Sequence, residues 1–137
     1  MYDNSLLLKD AGAVTESGVG TVGGVARILD VGEGLAEGEM VVDVTAIEIA
    51  SNDELYSIAL QGSDVADFTT GSPKVEELAC LNLGANEVLS GNQDSATGRY
   101  VVPFSNLKLE TYFPYLRLYS TCAGSVATGI NFSAFLR

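Results

Sequence analysis

The chain has 137 residues, 47% of them hydrophobic, with 18 acids against 7 bases and a formal net charge of −11. One domain of this size buries enough apolar surface to need no disulfide or metal staple. The charge opposes direct binding to nucleic-acid phosphates, and the absence of histidine excludes Ser-His-Asp and Cys-His catalysis and imidazole-bound zinc.

At the start of the chain, Leu6, Leu7 and Leu8 form a short apolar anchor behind a polar segment. Residues 1–8 are expected to be an arm that gains order by docking, and 9–137 a single β domain. Residues 10–24 are rich in glycine, threonine and valine, which suits a strand pair with a bend better than a helix. Residues 25–31 (VARILDV) read as one strand. Residues 30–39 (DVGEGLAEGE) read as a loop, because closely spaced glycines interrupt regular structure. Its acids, Asp30, Glu33, Glu37 and Glu39, lack the spacing of a twelve-residue calcium loop, so an exposed acidic loop is expected.

Residues 40–50 (MVVDVTAIEIA) form the second strong strand. Their apolar parity changes near Thr45 and Ala46, where a bulge restores one buried face. The density of β-branched residues favours strand over helix. Residues 55–61 (LYSIALQ) put Tyr56, Ile58 and Leu60 on one face. Residues 62–73 are a long connection with Phe68 as its apolar anchor. Residues 75–83 (VEELACLNL) fit a helix at Val75, Leu78 and Leu81, but context favours a strand. Residues 84–98 are polar and read as a loop open to partner contacts. Tyr100, Val102 and Phe104 alternate in the next strand, which Pro103 restricts to an edge or a bulge.

The longest run of β-favouring residues is 112–122 (YFPYLRLYSTC). Period two puts Leu116, Leu118, Ser120 and Cys122 on one face and Tyr115, Arg117, Tyr119 and Thr121 on the other. The leucine face is expected in the core. In the last strand Ile130, Phe132, Ala134 and Leu136 alternate with Asn131, Ser133 and Phe135. About eight strands without an amphipathic helix indicate an all-β, antiparallel β-sandwich or barrel, and that number favours a jelly roll over an immunoglobulin-like sandwich.

Cys80 and Cys122 sit in apolar segments and read as buried thiols, their pairing a matter of geometry. No basic-then-apolar leader and no apolar run of membrane-spanning length is visible, so an origin in the cytoplasm and no membrane partner are expected. Charge is uneven: residues 1–98 hold 17 of the 18 acids and 3 of the 7 bases. A solvated acidic surface accounts for this; one end meeting a complementary partner does so too.

The glycines at Gly18, Gly20, Gly23 and Gly24 have no helix after them, so they are no dinucleotide fingerprint. Asp43 and Glu48 are a carboxylate pair of the kind that cleaves glycosides, but that chemistry needs a cleft about 5–10 Å across, and eighteen acids give such pairs by chance. Tyr112, Phe113, Tyr115 and Tyr119 suit sugar stacking, although packing is the commoner use of such residues. A glycan- or host-surface-binding module is therefore one functional reading.

A second reading comes from the order of segments. LLLKDAGAVTESG (6–18) followed by ARILDVGEG (26–34), then LYSIALQGSDVADF (55–68), then PYLRLYSTCAGSVATGINFSAFLR (114–137), resembles the small capsid-associated proteins of tailed double-stranded DNA phages. These are the cement or decoration proteins. Lys9 and Gly12 depart from the serine and glutamine expected there, and 84–98 is longer than expected. The resemblance implies a jelly-roll sandwich on the outside of the head, made in the host cytoplasm. It implies a structural protein, not an enzyme, that links neighbouring subunits of the major capsid protein, itself a homodimer or homotrimer. It implies no catalytic residues, cofactor or metal. Contacts with the shell and with neighbours are expected from the arm (Met1, Tyr2, Leu6, Leu7, Leu8), the acidic loop (Glu33, Glu37, Glu39) and the polar loop with its flank (Asn86, Asn92, Arg99). Such attachment should weaken as salt rises, apart from the share carried by the leucines.

Overall fold

Period two on the 112–122 segment becomes a buried face: Leu116, Leu118 and Ser120 all point inward in the computed structural model, which describes residues 4–85 and 94–137. Cys122 on the same face is only partly buried. After a single 3-10 turn (Asn4–Leu6) the strands follow in order: β1 Leu7–Val14, β2 Gly18–Val19, β3 Thr21–Val22, β4 Val25–Ala26, β5 Leu29–Asp30, β6 Glu37–Ile47 and β7 Leu55–Ser63. Then come β8 Val75–Gly84, β9 Gly98–Ser105, β10 Leu107–Lys108, β11 Thr111–Tyr112, β12 Tyr115–Ala123 and β13 Ile130–Leu136. No helix among the described residues is long and apolar enough to cross a membrane.

Two antiparallel sheets enclose the core. The first runs β1-β13-β6-β9; the second runs β8-β7-β12, with β2 and β5 both on the far edge of β12. Met40, Val42, Val44, Ile130, Phe132 and Ala134 of the first sheet meet Tyr56, Ile58, Leu60, Leu116 and Leu118 of the second. The expected bulge is present: Phe132 pairs with Val44 and Asn131 with Ala46, which leaves Thr45 as the extra residue. Pro103 lies on β9, an edge strand, where its missing N–H breaks no ladder. Residues 75–83 are strand, as their context indicated.

Several boundaries differ from the sequence reading. Residues 25–31 are two short strands rather than one. Gly23 and Gly24, at φ +62° and +79°, turn the chain between β3 and β4, a small hairpin separate from β5. That hairpin places Val22 against Leu7, Val41 and Phe135 on the outer side of the first sheet, so Phe135 is buried as well, on the face it shares with Asn131 and Ser133. The loop at 30–39 shrinks to 31–36, because Glu37, Gly38 and Glu39 pair with Ser105, Phe104 and Pro103. The 112–122 segment divides at Phe113 and Pro114, with Phe113 buried against Gly62, where a Cβ would lie 2.8 Å from the Phe113 side chain. Leu7 and Leu8 belong to β1 and are buried in the chain's own packing.

Lys9 is buried, which its charge alone would forbid. The register of β1 against β13 shifts on both sides of it. Its ammonium donates to the carbonyls of Asp10 (2.9 Å), Gly12 (3.0 Å) and Phe132 (2.8 Å), using its three protons. Burial pushes its pKa down.

Tyr56 gives a test of this packing. Its hydroxyl donates to the Glu48 carbonyl at 2.9 Å, and burial, then the nearby Glu48 and Glu54 charges, push its pKa from 10.0 up to about 12. The native state therefore holds the tyrosine neutral where the unfolded chain would ionise it. This stabilisation is complete below pH 10 and is lost as pH rises towards 12. Two pH units correspond to about 2–3 kcal/mol. Urea titrations from pH 9 to 12 should show a fall of that size in the parent relative to Tyr56→Phe. Equal slopes in the two proteins would contradict the burial of this hydroxyl.

Candidate interaction site

Between β9 and β12 the chain makes an excursion that the sequence pattern did not reveal. It starts at Asn106, which is fully buried. The Asn106 Oδ1 accepts the Ala36 N–H at 2.7 Å, and Nδ2 donates to the Gly34 carbonyl at 2.9 Å and the Phe113 carbonyl at 3.1 Å. Its backbone adds two bonds, to the Ala36 carbonyl and from the Phe113 N–H. One amide thus ties the 31–36 loop to both ends of the excursion.

From that base β10 and β11 project as a hairpin, with Leu107 opposite Tyr112 and Lys108 opposite Thr111. The turn residues are Leu109 and Glu110, at φ +52° and +65°. A two-residue turn of this hand favours Asn-Gly, since a side chain with Cβ is strained there. Leu109 is 78% exposed, the most open large apolar side chain among the described residues. Lys108 braces the hairpin on β8, donating to the Glu77 carbonyl at 2.8 Å and lying 3.5 Å from the Glu76 carboxylate.

Antiparallel pairing fixes what shares this end of the sandwich. β6 begins here, β13 and β9 finish here, and β12 and β8 begin here. Arg137, whose guanidinium bonds Glu39 at 3.0 Å, marks this end. Leu35, Leu107, Leu109, Tyr112 and Val75 are all exposed here, five of the eight exposed large apolar residues among those described. A cleft of about 470 Å³ opens beside the hairpin, lined by Glu37, Glu77, Leu78, Phe104, Leu107 and Lys108 among others.

The residues expected to make contacts do not lie together. Leu6, Glu33, Glu37 and Glu39 are at the Arg137 end; Arg99 is at the other, where β9 begins. Leu7 and Leu8 are buried and so present no outward surface. Glu39 is ion-paired with Arg137, whereas Glu33 and Glu37 have no ion pair among the described residues. Arg99 holds Asp43 through two bonds, Nε at 2.7 Å and Nη2 at 3.0 Å, on the outer side of the first sheet. Met1, Tyr2, Asn86 and Asn92 lie outside the described residues. The hairpin itself was missed because its turn has neither glycine nor asparagine. The exposed leucines at 107 and 109 were the available signal.

Glu48, Asp67 and Asp30 are carboxylates that accept backbone N–H groups. Glu48, weighed with Asp43 as a carboxylate pair, accepts N–H bonds from Ala127, Thr128 and Gly129 at 2.6–3.4 Å, as well as the Thr128 hydroxyl. These bonds hold its pKa below the usual carboxylate value. Asp67 takes the N–H groups of Thr69 and Thr70 and the Thr70 hydroxyl, which lowers its pKa further. In the acidic loop Asp30 accepts from its own neighbour, the Gly32 N–H at 2.9 Å. Cys80 and Cys122 are unpaired, and burial raises both thiol pKa values.

Of the aromatics offered for stacking, Tyr112 is exposed and Phe113 is buried. Tyr115 and Tyr119 are half-buried. Between them the Arg117 guanidinium lies 4.2 Å from the centre of the Phe68 ring, and its Nε donates to Gln61 at 2.8 Å. No protein-family model matches the chain, and a search of curated proteins finds no match.

Proposed function

We propose that this is a structural head protein of a tailed double-stranded DNA phage, which binds the outside of the major capsid protein shell and cements neighbouring subunits. The observation that carries a binding role is the gathering of exposed apolar side chains at the Arg137 end, on a hairpin braced by Asn106 and Lys108. The phage assignment rests on the ordered segment resemblance, which runs from residue 6 to residue 137.

The jelly-roll reading has its own support. With β2 and β5 counted as one interrupted strand and the two small hairpins set aside, eight strands remain. Apart from the β7–β8 hairpin they alternate between sheets as the chain proceeds, with β1-β13-β6-β9 over β2/β5-β12-β7-β8. Two interleaved Greek keys produce that order. A cement role asks for such a rigid scaffold with firm loops at its ends. As a homodimer or homotrimer the protein would tie several shell subunits at once.

Quantitative mass spectrometry of purified virions tests the assignment. The chain should be recovered at a copy number comparable to that of the major capsid protein. Recovery at a few copies per particle would place it in the tail or among minor components, and its absence from virions would end the proposal.

A further inference from the structure

We infer that the Arg137 end of the sandwich is a docking surface whose occupant is a folded protein surface with an apolar centre and a rim of lysine or arginine. This goes beyond the head-protein reading, since it holds whichever protein presents that surface.

The apolar part is Leu35, Leu107, Leu109 and Tyr112. The residues on either side of Leu35 bond to Asn106, which immediately precedes Leu107. Leu107 and Tyr112 face each other across the hairpin, and Leu109 caps it. A protein gains nothing in its own fold by holding a leucine 78% exposed in a left-handed turn. Such strain persists where the surrounding structure imposes it, and it collects at binding elements. Here the imposing structure is visible: Asn106 fixes the base and Lys108 fixes the side.

Charge selects the occupant. Glu33, Glu37 and Glu110 lie beside the apolar residues and make no ion pair among the described residues. Of the cations at this end, Lys108 pairs with Glu76 and Arg137 with Glu39. Lys74, next to Val75, makes no ion pair among the described residues, and these three acids outnumber it. The rim is therefore acidic, and carboxylates brought out of water need cationic partners. A second copy docked by the same end would set acid against acid. Phosphates of lipid or nucleic acid are repelled for the same reason.

Photo-crosslinking in the cells that make the protein tests this directly. Photoreactive p-benzoylphenylalanine replaces Tyr112, Leu35 or, at the opposite end, the exposed Leu55. Positions 112 and 35 should label one and the same polypeptide, through a peptide bearing lysine or arginine, and position 55 should not. Changing Glu33, Glu37 and Glu110 to lysine should cut that adduct about tenfold or more, as expected when several charge pairs reverse sign. Adducts to the chain itself, to lipid or nucleic acid, equal labelling from position 55, or no adduct would each overturn the inference.

A second variant tests the strain without any partner. The double substitution Leu109→Asn, Glu110→Gly supplies the residues this turn favours and should raise Tm by about 3 °C or more, while the adduct from position 35 is lost. An unchanged or lower Tm would show that the turn is not held against its own preference. Persistence of the adduct would show that Leu109 is not part of the surface. Neither result bears on whether the protein is found in virions, so the two ideas can fail separately.

Discussion

Asn106→Ala should destabilise the protein by roughly 2–4 kcal/mol, because it strands one buried and two part-buried backbone groups, and a buried group left unpaired costs about 1–3 kcal/mol. The groups are the Ala36 N–H and the carbonyls of Gly34 and Phe113, all of which now bond the Asn106 amide. No other side-chain bond to these three atoms is present among the described residues. The loss should also be felt locally. The 31–36 loop and the hairpin are both tied to this amide, so hydrogen exchange should rise in both while β7 and β12 keep their protection. Urea denaturation gives the free energy. A cost below about 1 kcal/mol would mean that water replaces the amide at all three places.

Leu118→Ala should cost roughly 2–5 kcal/mol, the range for a truncated buried leucine. Leu118 is fully buried at the centre of β12, whose neighbours are β7 and β2. The backbone at Gly20 lies so close that a Cβ there would sit 3.2 Å from the Leu118 side chain. That closeness limits collapse into the cavity, so a value in the upper half of the range is expected. Tyr119→Ala, on the opposite face and half-buried, should cost less. An equal cost for the two would mean that both faces of β12 are equally packed.

The sandwich was legible wherever side-chain period alone decides the face. Leu116 and Leu118 on β12, and Ile130, Phe132 and Ala134 on β13, follow directly from alternation. The bulge at Thr45 was legible because the apolar parity reverses there, and the edge position of β9 because Pro103 lacks an N–H. What escaped was set by tertiary partners. Phe135 is buried on the outer face only because the β3–β4 hairpin brings Val22 over it. Lys9 is tolerated inside only because an irregular register offers it three carbonyls.

The candidate site was half legible. The acids at Glu33 and Glu37 were singled out as contacts, and they lie at the end where the exposed leucines collect. Asn106 gave no warning, since a single asparagine between strands normally reads as part of a turn. The hairpin after it carries a leucine and a glutamate where turn chemistry predicts glycine or asparagine. Places where local preference and observed backbone disagree are where function most often imposes the backbone. Of the expected leucine anchor of the arm, Leu7 and Leu8 are enclosed by the fold itself and Leu6 is half-buried, so the proposed apolar contact falls to the hairpin leucines.

Salt should then act differently on the two parts of the attachment. The acidic rim weakens with ionic strength, whereas the Leu35, Leu107, Leu109 and Tyr112 contribution does not. Binding should thus fall with salt and level off above zero.

A cryo-EM map of the assembled particle tests the central claim most directly. The account predicts density for this sandwich on the outer surface of the shell, with the Arg137 end and the β10–β11 hairpin turned towards the capsid protein. The end bearing residues 48–54 and 124–129 should face away from it. A shell surface without this density, or a sandwich attached through a sheet face or through that opposite end, would contradict the account.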